Sequence, residues 1–268
     1  RTAPRAASLG VTERRLKWMV MIELASNEVG RVALLFADIE HSVPIVFSVL
    51  EGTAAGRVFV DCADSPRAAF VAVGGAFSYV AGDDADDAFG RELVALVFDD
   101  LLPSQEEQEL VLFAFTDAWR AKLDQLLAPQ GAIRIHRKTF AWNVDRSPEW
   151  RTWRDRVPAG YRMESTALAE GDPRFGVRLM KAGEVVGECT AVFVGRGEAE
   201  IDIHTDENHR QLGLGTLTAS AFLEECLARG LHPNWTCWPE REGSVALAKK
   251  LGFIETADVP AHLWAPDL

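Results

Sequence analysis

Cysteine is scarce in this sequence, and its four copies follow neither a disulfide nor a metal-site pattern. Cys62, Cys189, Cys226 and Cys237 lie far apart, without a CxxC pair and without a histidine at zinc spacing. This distribution predicts reduced, mostly buried thiols and no metal, as is typical of a cytoplasmic protein.

Long apolar runs and excess positive charge are lacking as well. No run of about 18 apolar residues occurs, so we expect no membrane-spanning helix. The first ten residues, RTAPRAASLG, lack the apolar core of a signal peptide and predict a frayed or trimmed tail. The formal net charge of −12 disfavours general nucleic-acid binding and weakly favours a cationic partner.

One basic stretch departs from this balance. Residues 134–156 read RIHRKTFAWNVDRSPEWRTWRDR and interleave Trp142, Trp150 and Trp153 with arginines. A strip for nucleic acid is one interpretation. The sequence favours the other, a connector whose tryptophan rings pack and whose arginines balance the acidic remainder of the chain.

The chain predicts three parts: an N-terminal α+β domain over 1–130, a connector over 131–159 and a third part over 160–268. Its 268 residues suit one large or two small domains. In the first part we expect a helix over 12–28. We also expect a capping box at 104–107, SQEE, that opens a long helix to about Leu127.

The most informative segment is 199–253, where an alternating strand runs into a glycine-bearing loop and a helix. The loop Arg210–Gly215, RQLGLG, fits the pattern R/Q-x-x-G-x-G/A. Its two glycines allow the backbone to approach a ligand closely. A helix that begins at about Gly215 leaves N–H groups of its first turn without partners, which predicts an anion site beside the Arg210 guanidinium.

Two other phosphate-binding patterns do not fit this loop. A dinucleotide fingerprint requires G-x-G-x-x-G directly after a strand, whereas GLGTLT has no third glycine and polar residues separate it from the strand. A P-loop requires Gly-Lys-Ser/Thr, which is missing. A plain turn before a helix remains the alternative for the loop taken alone.

Together with its flanking elements, the loop resembles that of the GCN5-related N-acetyltransferase (GNAT) superfamily. Residues 198–205 resemble the fourth strand of that fold, RQLGLG its pyrophosphate loop, LHPNWTC its fifth strand and SVALAKKLGF its last helix and strand. The Pro-x-Trp-x-Cys element is most similar to a bacterial subgroup that includes zwittermicin-resistance-type acetyltransferases. Members of that subgroup carry an extra N-terminal half, which residues 30–140 resemble.

The resemblance implies an α/β protein with a C-terminal GNAT acyl-CoA N-acyltransferase fold over 160–268. Its central sheet would be mixed and mostly antiparallel, flanked by helices, with the N-terminal α+β domain packed against it. The implied activity is N-acetyl transfer from acetyl-CoA (coenzyme A) to a primary amine of a small molecule, by direct attack in a ternary complex. We expect a monomer or homodimer without nucleic-acid or membrane partners. The alternative function is a CoA-binding regulatory module with little or no catalysis.

The resemblance also implies which residues hold the cofactor. The end of the fourth strand would line the pantetheine, the loop would bind the pyrophosphate, and a serine on the last helix would face CoA. The family usually has an asparagine that contacts the cofactor at the position where this chain has Arg241, so this chain lacks the asparagine contact. The implied set is Ile203, His204, Thr205, Arg210, Gln211, Leu212, Gly213, Leu214, Gly215, Thr216 and Ser244.

For catalysis, Glu200, Asp202 and His204 alternate along the implied fourth strand and share one face. Related enzymes carry a carboxylate there. His204 is the preferred proton acceptor because histidine titrates near neutral pH. The alternative is that this face meets solvent or the other domain. Where the family often has a tyrosine that protonates the thiolate, this chain has Ala248.

One departure from the family pattern concerns the acceptor site. The family usually places two helices after its first strand, and they wall that site. Here the strand Tyr161–Thr166 is followed by ALAEGDP and then by Phe175, which leaves no room for two helices. Either the N-terminal half supplies the wall, or the acceptor site is unlike the usual one.

Overall fold

The structure, a computed structural model, describes residues 21–167 and 174–268. The strands are β1 (Ile22–Glu23), β2 (Gly56–Val60), β3 (Ala68–Val73), β4 (Phe77–Gly82), β5 (Leu110–Ala114), β6 (Ile133–Trp142), β7 (Tyr161–Ala167), β8 (Phe175–Lys181), β9 (Glu184–Gly195), β10 (Glu198–Thr205), β11 (His232–Cys237) and β12 (Phe253–Trp264). The α-helices are α1 (Val43–Leu50), α2 (Asp87–Leu96), α3 (Leu102–Ser104), α4 (Asp117–Leu127), α5 (Leu214–Ala228) and α6 (Glu242–Lys250). A 3₁₀ helix over Val29–Phe36 precedes α1, and a π-helical turn over Val97–Leu101 joins α2 to α3.

All of these described strands belong to one mixed, mostly antiparallel sheet. Their order is β1-β2-β3-β4-β5-β12-β6-β11-β10-β9-β8-β7. The predicted fold class is therefore confirmed. The stretch 131–159, expected to be a connector, contributes β6 to the middle of the sheet, where it pairs with β11 and β12.

The two halves of the chain repeat one topology. Each has an antiparallel meander, a helix, a strand parallel to the last meander strand, a second helix and a final strand. In the first half these are β2-β3-β4, α2, β5, α4 and β6, and in the second β8-β9-β10, α5, β11, α6 and β12. The final strands are exchanged, since β12 lies beside β5 and β6 lies beside β11. The sheet is therefore continuous across the halves.

Strand alternation distributes the core over two faces. Leu112 of β5 packs with the residues of α2 and α4, whereas its neighbours Val111 and Phe113 pack with the 3₁₀ helix and α1. In the second half, Phe222 of α5 and Ala248 of α6 pack over β8 to β12. The face opposite α5 and α6 is thus the face that the N-terminal half can cover.

The prediction that a long helix starts at the capping box 104–107 was wrong. Ser104 ends the short helix α3, the following β5 is a strand, and the helix begins after Thr116, whose Oγ1 accepts the N–H of Trp119 at 3.1 Å. The physical reason is burial. The run LVLFA is buried along its whole length, as an interior strand requires. Of the helix expected over 12–28, residues 12–20 lie outside the described residues, and β1 occupies part of the remainder.

An element of the N-terminal half covers β9 and β10. Every residue of α1 is buried, and α1 packs against both strands. Gly195 permits the approach, because a Cβ there would lie 2.5 Å from the backbone nitrogen of Ser48. Thr53 Oγ1 donates to the carbonyl of Val194 at 2.6 Å, and the Arg196 N–H donates to the Glu51 carboxylate at 3.1 Å. This packing supports the first of the two expectations for the acceptor wall.

Candidate active site: a fork between two strands

The strands β10 and β11 separate toward their carboxyl ends. They pair in parallel over three positions, of which Glu200–Asn234 is the last. Beyond it, Ile201–Thr205 pair with β9 alone and Trp235–Cys237 pair with β6 alone. A fork therefore opens in the middle of the sheet, at the end of the strand that the resemblance implied would line the pantetheine.

Main-chain groups line one side of this fork. The Asp206 N–H donates to the Val186 carbonyl of β9 at 3.0 Å. Because main-chain groups alternate in direction along a strand, those of Ile203 and Thr205 point away from β9, into the fork. The Thr205 carbonyl accepts a hydrogen bond from Arg210 Nε at 3.1 Å, which agrees with that direction. The N–H of Ile203 stays available there.

The loop that follows β10 turns its N–H groups toward the fork. Gln211 and Gly213 have left-handed φ values of 63° and 76°, and Gly213 is the N-cap of α5. Alternating left- and right-handed residues make a concave nest of N–H groups. Within the described part of the chain, the N–H groups of residues 211–215 have no acceptor. The helix dipole adds positive potential at the same place.

A cleft of about 540 Å³ connects the loop, the fork and the start of α6. It is lined by Ile203, Thr205, His209, Arg210, Gln211, Gly213, Leu214, Gly215, Thr216, Arg241, Gly243, Ser244 and Leu247. The structure thus brings together nine of the eleven residues expected at the cofactor. His204 and Leu212 do not line the cleft, and Leu212 is 60% exposed.

Two basic side chains that sequence reasoning did not assign to the cofactor site also line this cleft. His209 lies there with its Nδ1 3.1 Å from Asp206 Oδ1, and Arg241 lies at the start of α6. Arg241 was noted in the sequence only as the replacement of an asparagine. Its presence in the cleft, with Arg210, adds positive charge where a phosphate would bind.

The last helix supplies no proton donor at the expected position. Ala248 is fully buried in the core under the sheet, so its side chain does not face the cleft. Ser244 lines the cleft, and its Oγ accepts the indole N–H of Trp235 at 3.0 Å. Neither Tyr79 nor Tyr161 lines the cleft.

The three candidate proton acceptors on β10 lie in different environments. Glu200 is 3% exposed at the closed end of the fork, whereas Asp202 and His204 are exposed. The neighbours of Glu200 along the strand, Ala199 and Ile201, belong to the core beneath α5. Glu200 therefore points to the opposite face, toward the N-terminal half.

The surroundings of Glu200 set its protonation. Burial raises its pKa to about 7, against the opposing charge of Arg137 and a hydrogen bond from the Thr236 hydroxyl. The Arg137 guanidinium approaches to 3.9 Å. The second carboxylate oxygen, Oε2, has no partner among the described residues. A carboxyl group poised near neutral pH with one free oxygen is suited to proton transfer.

Arg137 is held in place from both halves of the chain. Its guanidinium lies between the rings of Phe77 and Trp238, at 4.9 and 4.7 Å from their centroids. Its Nε donates to Thr236 Oγ1 at 2.8 Å. Sequence reasoning missed Arg137 and Thr236 because only the pairing of β6 with β11 brings them to Glu200.

The tryptophans of the basic stretch are not available for nucleic acid. Trp142, Trp150 and Trp153 are all buried, and Trp153 Nε1 donates to Glu224 at 2.9 Å. Arg154 makes an ion pair with the same glutamate. The packing interpretation of this stretch is confirmed.

Comparison with known proteins agrees with this geometry. A family model described as GNAT acetyltransferase matches residues 34–169 and 172–261. The "Uncharacterized N-acetyltransferase YdfB" of Bacillus subtilis (strain 168) is 27% identical over 253 residues, covering 87% of this chain and 95% of that protein.

Two solved structures share the fold. A GCN5-related N-acetyltransferase-like protein from Streptococcus suis 89/1591 has a TM-score of 0.66 at 22% identity, over 89% of this chain and 98% of that one. A tandem GNAT protein from the clavulanic acid biosynthesis pathway has a TM-score of 0.59 at 17% identity, over 91% and 98%. At these identities the likeness concerns the fold alone.

Proposed function

Because the chain belongs to the GNAT acetyltransferase family, we propose that it transfers the acetyl group of acetyl-CoA to a primary amine of a small molecule. The predicted family and the predicted enzyme class, an N-acetyltransferase, are confirmed by the family match together with the named relative. The donor, the acceptor and the order of events are our proposals.

The observation that carries the proposal is the fork with its adjoining nest of N–H groups. The nest, the start of α5 and the side chains of Arg210 and Arg241 suit the pyrophosphate of CoA. The main-chain groups of Ile203 and the N–H of Thr205 suit the amides of a pantetheine chain that extends along β10. The residues present therefore fit this donor.

The geometry supports direct transfer within a ternary complex. Acetyl-CoA would supply an activated acetyl group and a thiolate as the leaving group. The N–H of Ile203 is free to donate to the carbonyl oxygen of a thioester in the fork. Glu200, at the closed end of the fork, can take a proton from the attacking amine, because its pKa of about 7 leaves a large ionised fraction near neutral pH.

Where the family usually has its acid, this chain has the buried Ala248, which cannot donate a proton. A thiol with an ordinary pKa of about 8.5 leaves readily as the thiolate, so catalysis does not require that acid. The absence of a proton donor at position 248 is the observation that favours the second function, a CoA-binding regulatory module with little catalysis.

An assay with purified protein, acetyl-CoA and a panel of primary amines separates the two functions. We expect thiol release that depends on the amine, with acetylated amine detected by mass spectrometry. CoA binding by calorimetry without turnover on any amine would favour the regulatory module. No CoA binding would contradict both.

The cellular setting is a proposal of its own. Across the described residues no helix has the length and apolarity needed to span a membrane. Cys62, Cys189, Cys226 and Cys237 are all free, and all but Cys62 are buried, as predicted. We propose a bacterial cytoplasmic protein, monomeric or homodimeric.

A further inference from the structure

A second cavity, of about 560 Å³, lies on the sheet face opposite α5 and α6. Glu198, at the first of the three positions that pair β10 with β11, and Asn234, at the last one before the fork opens, both line it. Glu40 and His41, which precede α1 in the N-terminal half, line its other side. The cavity therefore adjoins the closed end of the fork from the side that α1 covers.

Polar atoms without partners line this cavity. Asn234 Nδ2 donates to Glu198 Oε2 at 3.1 Å, but Asn234 Oδ1 has no partner among the described residues. His41 is 9% exposed and its Nδ1 lies 3.1 Å from Ser42 Oγ, whereas its Nε2 likewise has no described partner. Ser42 has a left-handed φ of 57°, a strained conformation typical of sites where a side chain must be held in place.

The charge of the cavity is predominantly negative. Glu40, Glu198 and Asp258 line it, and neither Glu40 nor Glu198 forms an ion pair with any residue that the structure describes. Arg120 also lines the cavity, but its Nη1 is bound to Asp117 outside it at 2.7 Å. Burial, with a smaller effect of Arg120, lowers the pKa of His41 to about 4, so His41 is neutral at pH 7.

We propose that this cavity is the acceptor site and that it takes a linear di- or polyamine. The inference rests on the proposed acetyl transfer. The reacting amine would lie at Glu200 and a distal ammonium group at Glu198 and Glu40. Glu198 and Glu200 are two residues apart on one strand face, about 7 Å at the usual rise, which suits nitrogens joined by a short alkyl chain. Asn234 Oδ1 and His41 Nε2 offer the acceptors that an ammonium N–H requires.

In the proposed transfer, the new bond joins the amine nitrogen to the acetyl carbon, and the C–S bond of the thioester breaks. Of the two protons that the reacting ammonium loses, Glu200 takes one and passes it to solvent, and the other ends on the CoA thiol. The distal ammonium stays charged and bound throughout.

The test compares the triamine spermidine with the monoamine butylamine. In wild-type protein we expect spermidine to be acetylated with a kcat/KM at least tenfold higher. Glu198→Gln and Glu40→Gln should each reduce that preference several-fold and weaken spermidine binding in calorimetry. The matched control is Glu107→Gln, which removes one negative charge from an exposed position elsewhere and should retain the preference.

The outcomes distinguish this proposal from the proposed function. If the protein acetylates other amines but prefers spermidine no more than butylamine, the acceptor proposal fails and acetyl transfer stands. If both carboxyl variants keep the wild-type preference, the proposal fails as well. If Glu198→Gln does not fold, Glu40→Gln, at an exposed position, decides the question alone. Absence of CoA binding would instead overturn the proposed function.

Discussion

Glu200 of β10 and Asn234 of β11 are the last residues that pair these two strands before they separate. The pair marks the closed end of the fork. It places a buried carboxyl group at the point where the free main-chain edge of β10 begins, and Asn234, its pairing partner, lines the acidic cavity.

The first prediction concerns the loop. Gly213→Val and Gly215→Asp should each weaken CoA binding at least tenfold, about 1.4 kcal/mol. Valine disfavours the φ of 76° at residue 213, and aspartate places a negative charge where the pyrophosphate would bind. Calorimetry with CoA measures the effect.

Gly197 provides the control for backbone strain. It has the same φ of 76° and lies in the β9–β10 turn, away from the cleft. Gly197→Val should therefore carry a similar stability cost while leaving CoA affinity within about twofold. Unchanged affinity in both loop variants with an intact fold would rule out the loop as the pyrophosphate site.

The second prediction assigns the proton acceptor. Sequence reasoning favoured His204, but the burial and raised pKa of Glu200 move the hypothesis to that residue. Glu200→Gln should reduce kcat by about 10²–10⁴ and remove a rise of the rate with pH through about 7. Rate–pH profiles at saturating acetyl-CoA measure this effect.

Asp202→Asn and His204→Ala are the matched controls, because both residues lie on the same strand but are exposed. We expect both variants to stay within about threefold of wild type. A loss in either that equals the loss in Glu200→Gln would return the role to that residue. Full activity in all three would assign deprotonation of the amine to water or to the N-terminal half.

The third prediction concerns stability and pH. The pKa of Glu200 is raised from 4.5 to about 7 in the folded state, so folding favours its protonated form. The contribution of this group to the unfolding free energy therefore falls as pH rises from about 4.5 to 7, whereas a glutamine side chain at the same position does not titrate. Relative to wild type, Glu200→Gln should gain about 3 kcal/mol between pH 4.5 and 8, at 1.36 kcal/mol per unit.

Urea denaturation at both pH values measures this difference. Other titrating groups contribute equally to both proteins and cancel. A difference that is independent of pH would show that the carboxyl group keeps an ordinary pKa, and would weaken its assignment as the proton acceptor.

The fourth prediction concerns the docking of α1. In Gly195→Ala the new Cβ would lie 2.5 Å from Ser48 N and 2.6 Å from Phe47 C, so α1 must shift. We expect destabilisation of about 1–3 kcal/mol and a raised KM for the amine with nearly unchanged CoA affinity. Gly74→Ala, in the β3–β4 turn outside the cleft, is the control, since a Cβ there would have only the Ala55 carbonyl oxygen nearby, at 3.8 Å. Wild-type stability and KM in Gly195→Ala would show that α1 does not wall the acceptor site.

Sequence patterns predicted the second half of the chain well. The strand β10, the loop that follows it and the start of α5 lie where the alternation and the glycine positions place them, and β11 and α6 lie where the resemblance implied them. Nine residues expected at the cofactor line one cleft. These features are local, because a few neighbouring residues set the conformation of a turn or the start of a helix.

The first half was harder to predict for an identifiable reason. The SQEE segment offers a helix start, but the following LVLFA becomes an interior strand because β4 and β12 flank it. A local capping preference of about 1 kcal/mol is smaller than the free energy of burying five apolar side chains in a sheet. The sequence analysis also did not predict that both halves repeat one topology.

By itself, then, the sequence determined the glycine-bearing loop, the order of the elements around it and the family to which they belong, since all of these depend on residues close together in the chain. Only the tertiary structure decided which carboxyl group on β10 is buried. Glu200 obtains its surroundings from Arg137 on β6 and Thr236 on β11, and its face is covered by α1. The long-range pairing of β6 with β11 brings these groups together, and desolvation at that meeting point raises the pKa of Glu200.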